Sequence, residues 1–303
     1  MPSSTHSCRQ CQSGSRKAER LQASTTWSYF KRRRRTAMFE TFFGFKKAPF
    51  RDEPDAKQLF EHAGWKQAQA RLKFLIDHRG AGLLTGEVGA GKSTAVRMWA
   101  AGLNPNLFKL VYLHWSSGTP RDLLRQIARG LDLEPSFIGG DLTAQISEGI
   151  VRLHKMRKLH PVIVIDEAQL LGHPSLEILP LLLNFELDSG RYLTLLLAGQ
   201  PLLRRALALQ MHESLRQRIA VHYHLEGFSR EELDAYIAHQ LKAAGVGQPL
   251  FDDMARQALY QATKGVPRKV NKLALTALRL AASRKASSVD EPILLDATQE
   301  ALL

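Results

Sequence analysis

The sequence predicts an α/β fold, a parallel sheet sandwiched by helices and followed by a small all-α domain. Three observations predict it. Between Ala81 and Leu225, short apolar runs alternate with helical patterns. The runs are continuously apolar, as expected of strands covered on both faces. A glycine-rich segment, Gly86-Glu87-Val88-Gly89-Ala90-Gly91-Lys92-Ser93, lies directly between the first run and the helical pattern after it. Beyond Leu225 the strand-like runs stop and four helical patterns follow.

Taken in order, residues 1–37 are rich in Ser, Gln, Arg and Thr and poor in aliphatics, which predicts a disordered, basic extension. The run Lys31-Arg32-Arg33-Arg34-Arg35 has two readings. It is a nucleic-acid-binding arm, or it precedes a natural start at Met38, where ordered-looking sequence begins; the second is favoured. Cys8 and Cys11 make half a zinc pattern with only His6 near, so an incidental pair is expected. Phe39, Phe42, Phe43, Phe45 and Phe50 form an aromatic cluster suited to a core, and able also to line a pocket for a flat base. An amphipathic helix is expected over Trp65–His78.

The predicted strands are Ala81–Thr85, Phe108–Trp115, Pro161–Asp166, Tyr192–Ala198 and Ile219–Leu225, with helices over 91–102, 120–131, 143–157, 174–187 and 201–213. The later helices are Ser229–Ala244, Phe251–Thr263, Pro267–Ala286 and Asp290–Leu302. Ser229 with Glu232 reads as a capping box at the first of them. The expected domains are therefore 1–37, a nucleotide-binding α/β domain over 38–226, and a helical lid over 227–303.

Composition narrows the classes. The chain has 303 residues, 44% hydrophobic and 23% charged, ordinary for a globular protein. No apolar run approaches a membrane span, and no signal peptide is evident. Two cysteines give no disulfide framework, so the cytoplasm is the default compartment. The net charge of +13 is uneven, since residues 1–37 hold nine of the 42 basic residues and one of the 29 acidic ones. What remains is a mild basic excess, compatible with DNA but not diagnostic of it.

Five motifs carry chemistry. Gly86–Ser93, with Thr94 opening the helix, fits a phosphate loop. Its glycines let backbone N–H groups close around a polyphosphate at a helix N-terminus, Lys92 can reach the outer phosphates, and the Ser93 hydroxyl can ligate Mg²⁺. Val162-Ile163-Val164-Ile165-Asp166-Glu167 is a buried strand delivering two carboxylates, Asp166 for Mg²⁺ and Glu167 to polarise an attacking water. Gln200, after Leu195–Gly199, emerges at a strand end where it can sense a γ-phosphate, or it starts the helix before Pro201. Leu215-Arg216-Gln217-Arg218-Ile219 places arginines at the mouth of the last strand, on the side carrying the nucleotide. Arg218, then Arg216, is the candidate for a trans-acting finger, against a solvated surface role. Gly265-Val266-Pro267-Arg268 sets Arg268 at a helix start, able to couple nucleotide state to closure of the lid, or simply exposed.

These five pieces, in this order over residues 38–303, resemble AAA+ ATPases. With Phe42-Phe43-Gly44-Phe45, Pro49-Phe50, Asp166-Glu167-Ala168-Gln169 and Ala198-Gly199-Gln200-Pro201, the chain is similar to the ExeA/TnsC branch of secretion-associated ATPases and transposon regulators. The resemblance implies ATP and Mg²⁺ as cofactors, Lys92 on the phosphates, Ser93 and Asp166 on the metal and Glu167 on the water. It further implies Gln200 as the first sensor, where Asn is commoner, Arg218 as the finger and Arg268 as the second sensor.

Within that branch, secretion-type relatives continue into a membrane span and a peptidoglycan-binding domain, whereas this sequence ends at Leu303. The expectation is therefore a transposition regulator that forms a ring or filament on duplex DNA and recruits a DDE transposase, without a membrane. Ser116, Ser117, Thr119 and Arg121, after the second strand, would touch DNA phosphates, although Thr119 before Pro120 equally suits a helix cap. Arg152, Lys155, Arg157 and Lys158 form a second basic cluster, expected mainly as a solvated helix end. The alternatives are a secretion-associated ATPase with a protein partner, or a replication-loader ATPase.

Overall fold

The computed structural model describes residues 39–51, 59–135, 139–185 and 190–301. The cysteine pair and the Lys31–Arg35 run lie outside the described residues. Contacts divide the chain into two units. One comprises Asp52–Leu233 and Thr263–Val270; the other takes the described residues up to Arg51, Asp234–Ala262 and those from Asn271.

The first unit is built on five strands: β1 Gly80–Gly86, β2 Phe108–His114, β3 His160–Asp166, β4 Thr194–Gly199 and β5 Ile219–Leu225. They form one parallel sheet in the order β2-β3-β4-β1-β5. The intervening helices are α1 Ala63–His78, α2 Lys92–Ala101, α3 Pro120–Gly130, α4 Gly139–Arg157, α5 His173–Leu183, α6 Pro201–Leu207 and α7 Glu213–Arg218.

The apolar runs of β1, β3 and β4 explain why helices cover both faces there, whereas the border strands β2 and β5 keep exposed positions. Alternate residues point to opposite sides of a strand. Leu83, Leu113, Ile163, Ile165, Leu195 and Leu197 join one buried cluster, with Leu123 and Ile127 of α3 and Ile146 and Ile150 of α4. Leu84, Val162, Val164, Leu196 and Ala198 join another, with Leu72 and Leu75 of α1 and Val96 and Trp99 of α2. Burying each of the larger of these aliphatic side chains contributes roughly 1.5–3 kcal/mol.

Register aligns the strand ends. Gly86 stands opposite Leu225, Thr85 opposite Gly199, Ile165 opposite Leu197, and His114 opposite Asp166. The carboxyl ends of all five strands therefore share one edge, where ligands bind in open α/β sheets.

Two expectations shift. Tyr192 precedes β4 instead of starting it, packing on Phe185 and His154 at ring separations of 5.5 and 4.8 Å. The helix expected over 201–213 breaks after Leu207. Leu209 is extended, and the 3-10 turn Gln210–His212 carries His212 inward to stack on His173 before α7 begins. Nothing periodic in the sequence marks that break, because it follows from burial of His212.

In the other unit lie the later helices α9 Asp253–Thr263 and α11 Glu291–Ala301, with the C-terminal parts of α8 Arg230–Ala243 and α10 Pro267–Ser283. Three phenylalanines of the aromatic cluster belong to the core of this unit, whereas Phe42 is exposed and Phe45 half-buried. Phe39, Phe43 and Phe50 are buried, and Phe50 meets Tyr236 and Phe251 edge-on at 6.4 and 6.3 Å. Lys46 N donates to Ala244 O at 2.8 Å, and Asn271 Nδ2 to Arg51 O at 3.3 Å. Ser229 and Glu232, at the start of α8 in the first unit, form the expected reciprocal cap at 3.0 and 3.2 Å. Among the described residues, no helix is long and apolar enough to cross a membrane.

Candidate active site

The phosphate-loop segment leaves β1 at Gly86 and enters α2 at Lys92. Gly91 caps α2 with φ 99 and ψ 11, a left-handed geometry that favours glycine. At Gly89, φ is 85, and an added Cβ would lie 2.5 Å from Arg268 Cβ. Arg268 N donates to Gly89 O at 3.2 Å. The loop and the start of α10 are thus brought together. Lys92 is 6% exposed, and its Nζ donates to Gly86 O at 2.8 Å and Glu87 O at 3.0 Å. Burial lowers its pKa; Glu167, Asp166 and Glu87 oppose this, and Arg268 adds to it.

Asp166 ends β3 at 1% exposure. Its Oδ2 accepts from Ser93 Oγ at 2.9 Å and from Tyr112 Oη at 2.6 Å, while Oδ1 accepts from Glu167 N at 2.9 Å. Burial, then this bond to Asp166, raises the Tyr112 pKa, so its hydroxyl stays a donor. Glu167 adopts the left-handed conformation, φ 55 and ψ 34. For a non-glycine residue that is uncommon. Gln169 Nε2 donates to Glu167 Oε2 at 2.5 Å, and Gln169 Oε1 accepts from Gln200 N at 2.9 Å. Gln200 follows β4 and takes the N-cap position of α6, as its helix-start reading expects, without a capping bond from its side chain.

Sequence reasoning singled out neither Tyr112 nor Gln169 as functional. Gln169 stood inside the quoted Asp-Glu-Ala-Gln, with no role of its own. Tyr112 had no signal, because its reach from β2 to Asp166 depends on the pairing of β2 with β3.

Arg216 and Arg218 lie elsewhere, which corrects their expected side. They end α7 before β5, and Ile219 stands opposite Ala81 at the amino edge of the sheet. Leu225 lies six residues beyond Ile219 along β5, about 20 Å along the strand. Within one chain the two arginines are therefore not brought to the phosphate loop. Arg218 Nη1 donates to Ser214 O at 3.1 Å and Ser214 Oγ at 2.9 Å, and Arg216 Nη1 to Ala208 O at 3.2 Å.

After β2, Thr119 N-caps α3 in a capping box with Asp122, its Oγ1 donating to Asp122 Oδ2 at 2.6 Å. These hydrogen bonds lower the Asp122 pKa. The cap thus engages the Thr119 hydroxyl, whereas Ser116, Ser117 and Arg121 are exposed. Arg152, Lys155, Arg157 and Lys158 are exposed at the end of α4, at the amino edge.

The residues fit a magnesium nucleotide. A serine hydroxyl and a carboxylate in contact are hard oxygen donors of the kind Mg²⁺ takes beside phosphates. A lysine ammonium and the first turn of a ten-residue helix face the same edge. Among the described residues, no group of three or more His, Cys, Asp or Glu could form a separate metal site.

Residues 75–207 match the family model described as an AAA domain. General secretion pathway protein A of Aeromonas hydrophila is 36% identical over 252 residues, covering 82% of this chain and 45% of that protein. This chain thus spans under half the length of that relative. Among solved structures, Cdc6p from Pyrobaculum aerophilum matches with TM-score 0.58 and 15% identity, over 86% of this chain and 71% of that one. A Walker-type ATPase of Pyrococcus abyssi matches with TM-score 0.57 and 15% identity, over 86% and 76%. The ORC1 protein of Aeropyrum pernix, solved in complex with DNA, matches with TM-score 0.55 and 18% identity, over 80% and 66%. These structural likenesses speak to fold alone.

Proposed function

We propose, on the premise that residues 75–207 form an AAA domain, that this chain is a Mg²⁺-dependent ATPase serving a protein partner in a secretion-type assembly. The observation that carries the ATPase reading is the clustering of Lys92, Ser93, Asp166 and Glu167 on one sheet edge. Backbone N–H groups of Gly86–Thr94 and the Lys92 ammonium would bind the phosphates. Ser93 and Asp166 would hold Mg²⁺, whose charge offsets that of the phosphates. Glu167 would orient the attacking water and accept its proton, with Gln200 beside it. Arg268, tied through its backbone to Gly89, would sense the nucleotide.

Arg218 would act on the nucleotide of a neighbouring copy, with Arg216 as the alternative. Their place at the amino edge supports a head-to-tail contact, since a finger acting within its own chain is about 20 Å from the loop. On this reading the sheet-bearing unit acts as the nucleotide-binding domain expected over 38–226 and the helical unit as the lid expected over 227–303, with residues 39–51 belonging to the helical unit.

The 36% identity to a general secretion pathway protein supports a protein partner over the expected transposition role on duplex DNA. One experiment tests both parts. ATP turnover is measured for the wild type and Lys92→Ala, with and without duplex DNA. The proposal expects turnover lost in K92A and insensitive to DNA. Turnover persisting in K92A would remove the site assignment. Strong stimulation by DNA would return the transposition reading.

A further inference from the structure

We propose that Gln169 is a positioning residue that ties the carboxylate of Glu167 to the turn at Gln200, so that the two move together. The inference rests on the reading of Glu167 as the residue that orients water. Its basis is one carboxamide used at both ends. Gln169 Nε2 donates to Glu167 Oε2 at 2.5 Å, and Gln169 Oε1 accepts from Gln200 N at 2.9 Å. An amide side chain offers a donor and an acceptor in one fixed relation.

The surroundings leave the carboxamide little freedom. It crosses the end of β4 at Gly199, where an added Cβ would lie 2.7 Å from Gln169 Oε1 and 3.2 Å from Gln169 N. Gly199 is thus the residue that admits the crossing. Glu167 itself is pinned from its backbone, with N bonded to Asp166 Oδ1 at 2.9 Å and O accepting from Leu170 N at 2.9 Å. Its backbone conformation is left-handed. What the backbone leaves undetermined is the carboxylate, and Gln169 is the group that holds it. Gln200 follows the strand between β1 and β3, so any displacement of that turn reaches Glu167 through a single side chain.

The test compares Gln169→Ala and Gln169→Glu in the full chain, with Glu167→Gln as control. Glutamate keeps an acceptor for Gln200 N but has no N–H for Glu167. Three quantities are read: kcat at saturating ATP, nucleotide affinity by fluorescence titration, and exchange of the Gln200 backbone amide by NMR without nucleotide. Q169A is expected to lower kcat about 10- to 100-fold, the cost of a misplaced catalytic group. Its nucleotide affinity should change less than about twofold, since the contact does not serve ground-state binding, and Gln200 exchange should quicken. Q169E should keep Gln200 protected yet lose kcat as Q169A does. Wild-type kcat in either Gln169 variant, with E167Q inactive, overturns the proposal and leaves the role of Glu167 standing. Wild-type turnover in E167Q overturns both.

Discussion

The two edges of the sheet share five strands but not a chemistry. At the carboxyl edge Ser93, Tyr112, Asp166, Glu167, Gln169 and the Gln200 backbone hold one another in hydrogen bonds of 2.5–2.9 Å. Donors and acceptors there are matched, and the carboxylates of Glu167, Asp166 and Glu87 stand close enough to Lys92 to favour its charge. The amino edge gathers cations: Arg79 before β1, Lys158 before β3, Arg191 before β4 and Arg218 before β5. Carbonyls hold three of them, Arg79 Nη1 donating to Arg191 O at 3.4 Å, Arg191 Nη1 to His78 O at 2.9 Å and Arg218 Nη1 to Ser214 O at 3.1 Å. Under the proposed function each edge supplies what the other lacks. The carboxyl edge binds the triphosphate and orients water, while the amino edge brings positive charge for the phosphoryl group of the next copy.

The largest expected effect would break the second half of that comparison. Arg218→Ala should lower turnover on the order of 10³-fold or more, the usual weight of a finger, with ATP binding to isolated chains retained. Unchanged turnover would assign the amino edge no part in hydrolysis. At the carboxyl edge, Glu167→Gln should lower turnover about 10²- to 10⁴-fold while nucleotide still binds. Single-turnover hydrolysis at the wild-type rate would sink that assignment.

A third effect sharpens the electrostatic contrast. His160, 3% exposed at the start of β3, is pushed down to about 3 by burial first, then by Arg79 and His154. It is neutral when folded, whereas the unfolded chain takes up its proton below about 6.5. The penalty is therefore absent above 6.5 and grows as pH falls from there toward 3. It amounts to as much as about 1.4 kcal/mol per pH unit. Urea denaturation should show stability falling from pH 6.5 to pH 5, and less steeply in His160→Gln. Equal slopes would remove His160 as the cause.

The smallest effect concerns Thr119. Its capping box predicts that Thr119→Ala costs about 1 kcal/mol in thermal or urea unfolding. A loss of DNA affinity at unchanged stability would instead revive its reading as a phosphate contact.

The strands and the site differ in how far sequence could reach. Buried strands were legible because both faces of β1, β3 and β4 must be apolar, and that leaves an unbroken run. Lys92, Ser93 and Asp166 stood out as candidates because phosphate and magnesium would restrict the residue types that can meet them, and the structure brings the three together. Gln169 and Tyr112 act on other side chains, and such partners are chosen by proximity, which no spacing encodes. The phenylalanines were legible as aromatic core, yet their partners, Tyr236 and Phe251, are distant in sequence.

The sequence by itself determined the alternation of strand and helix and the candidate residues for phosphate and metal chemistry, since both depend on local pattern. Only the tertiary structure decided on which edge each of them stands. Arg218 and Gly86 each adjoin a strand, but β5 begins at one and β1 ends at the other, and parallel pairing turns that difference into opposite edges.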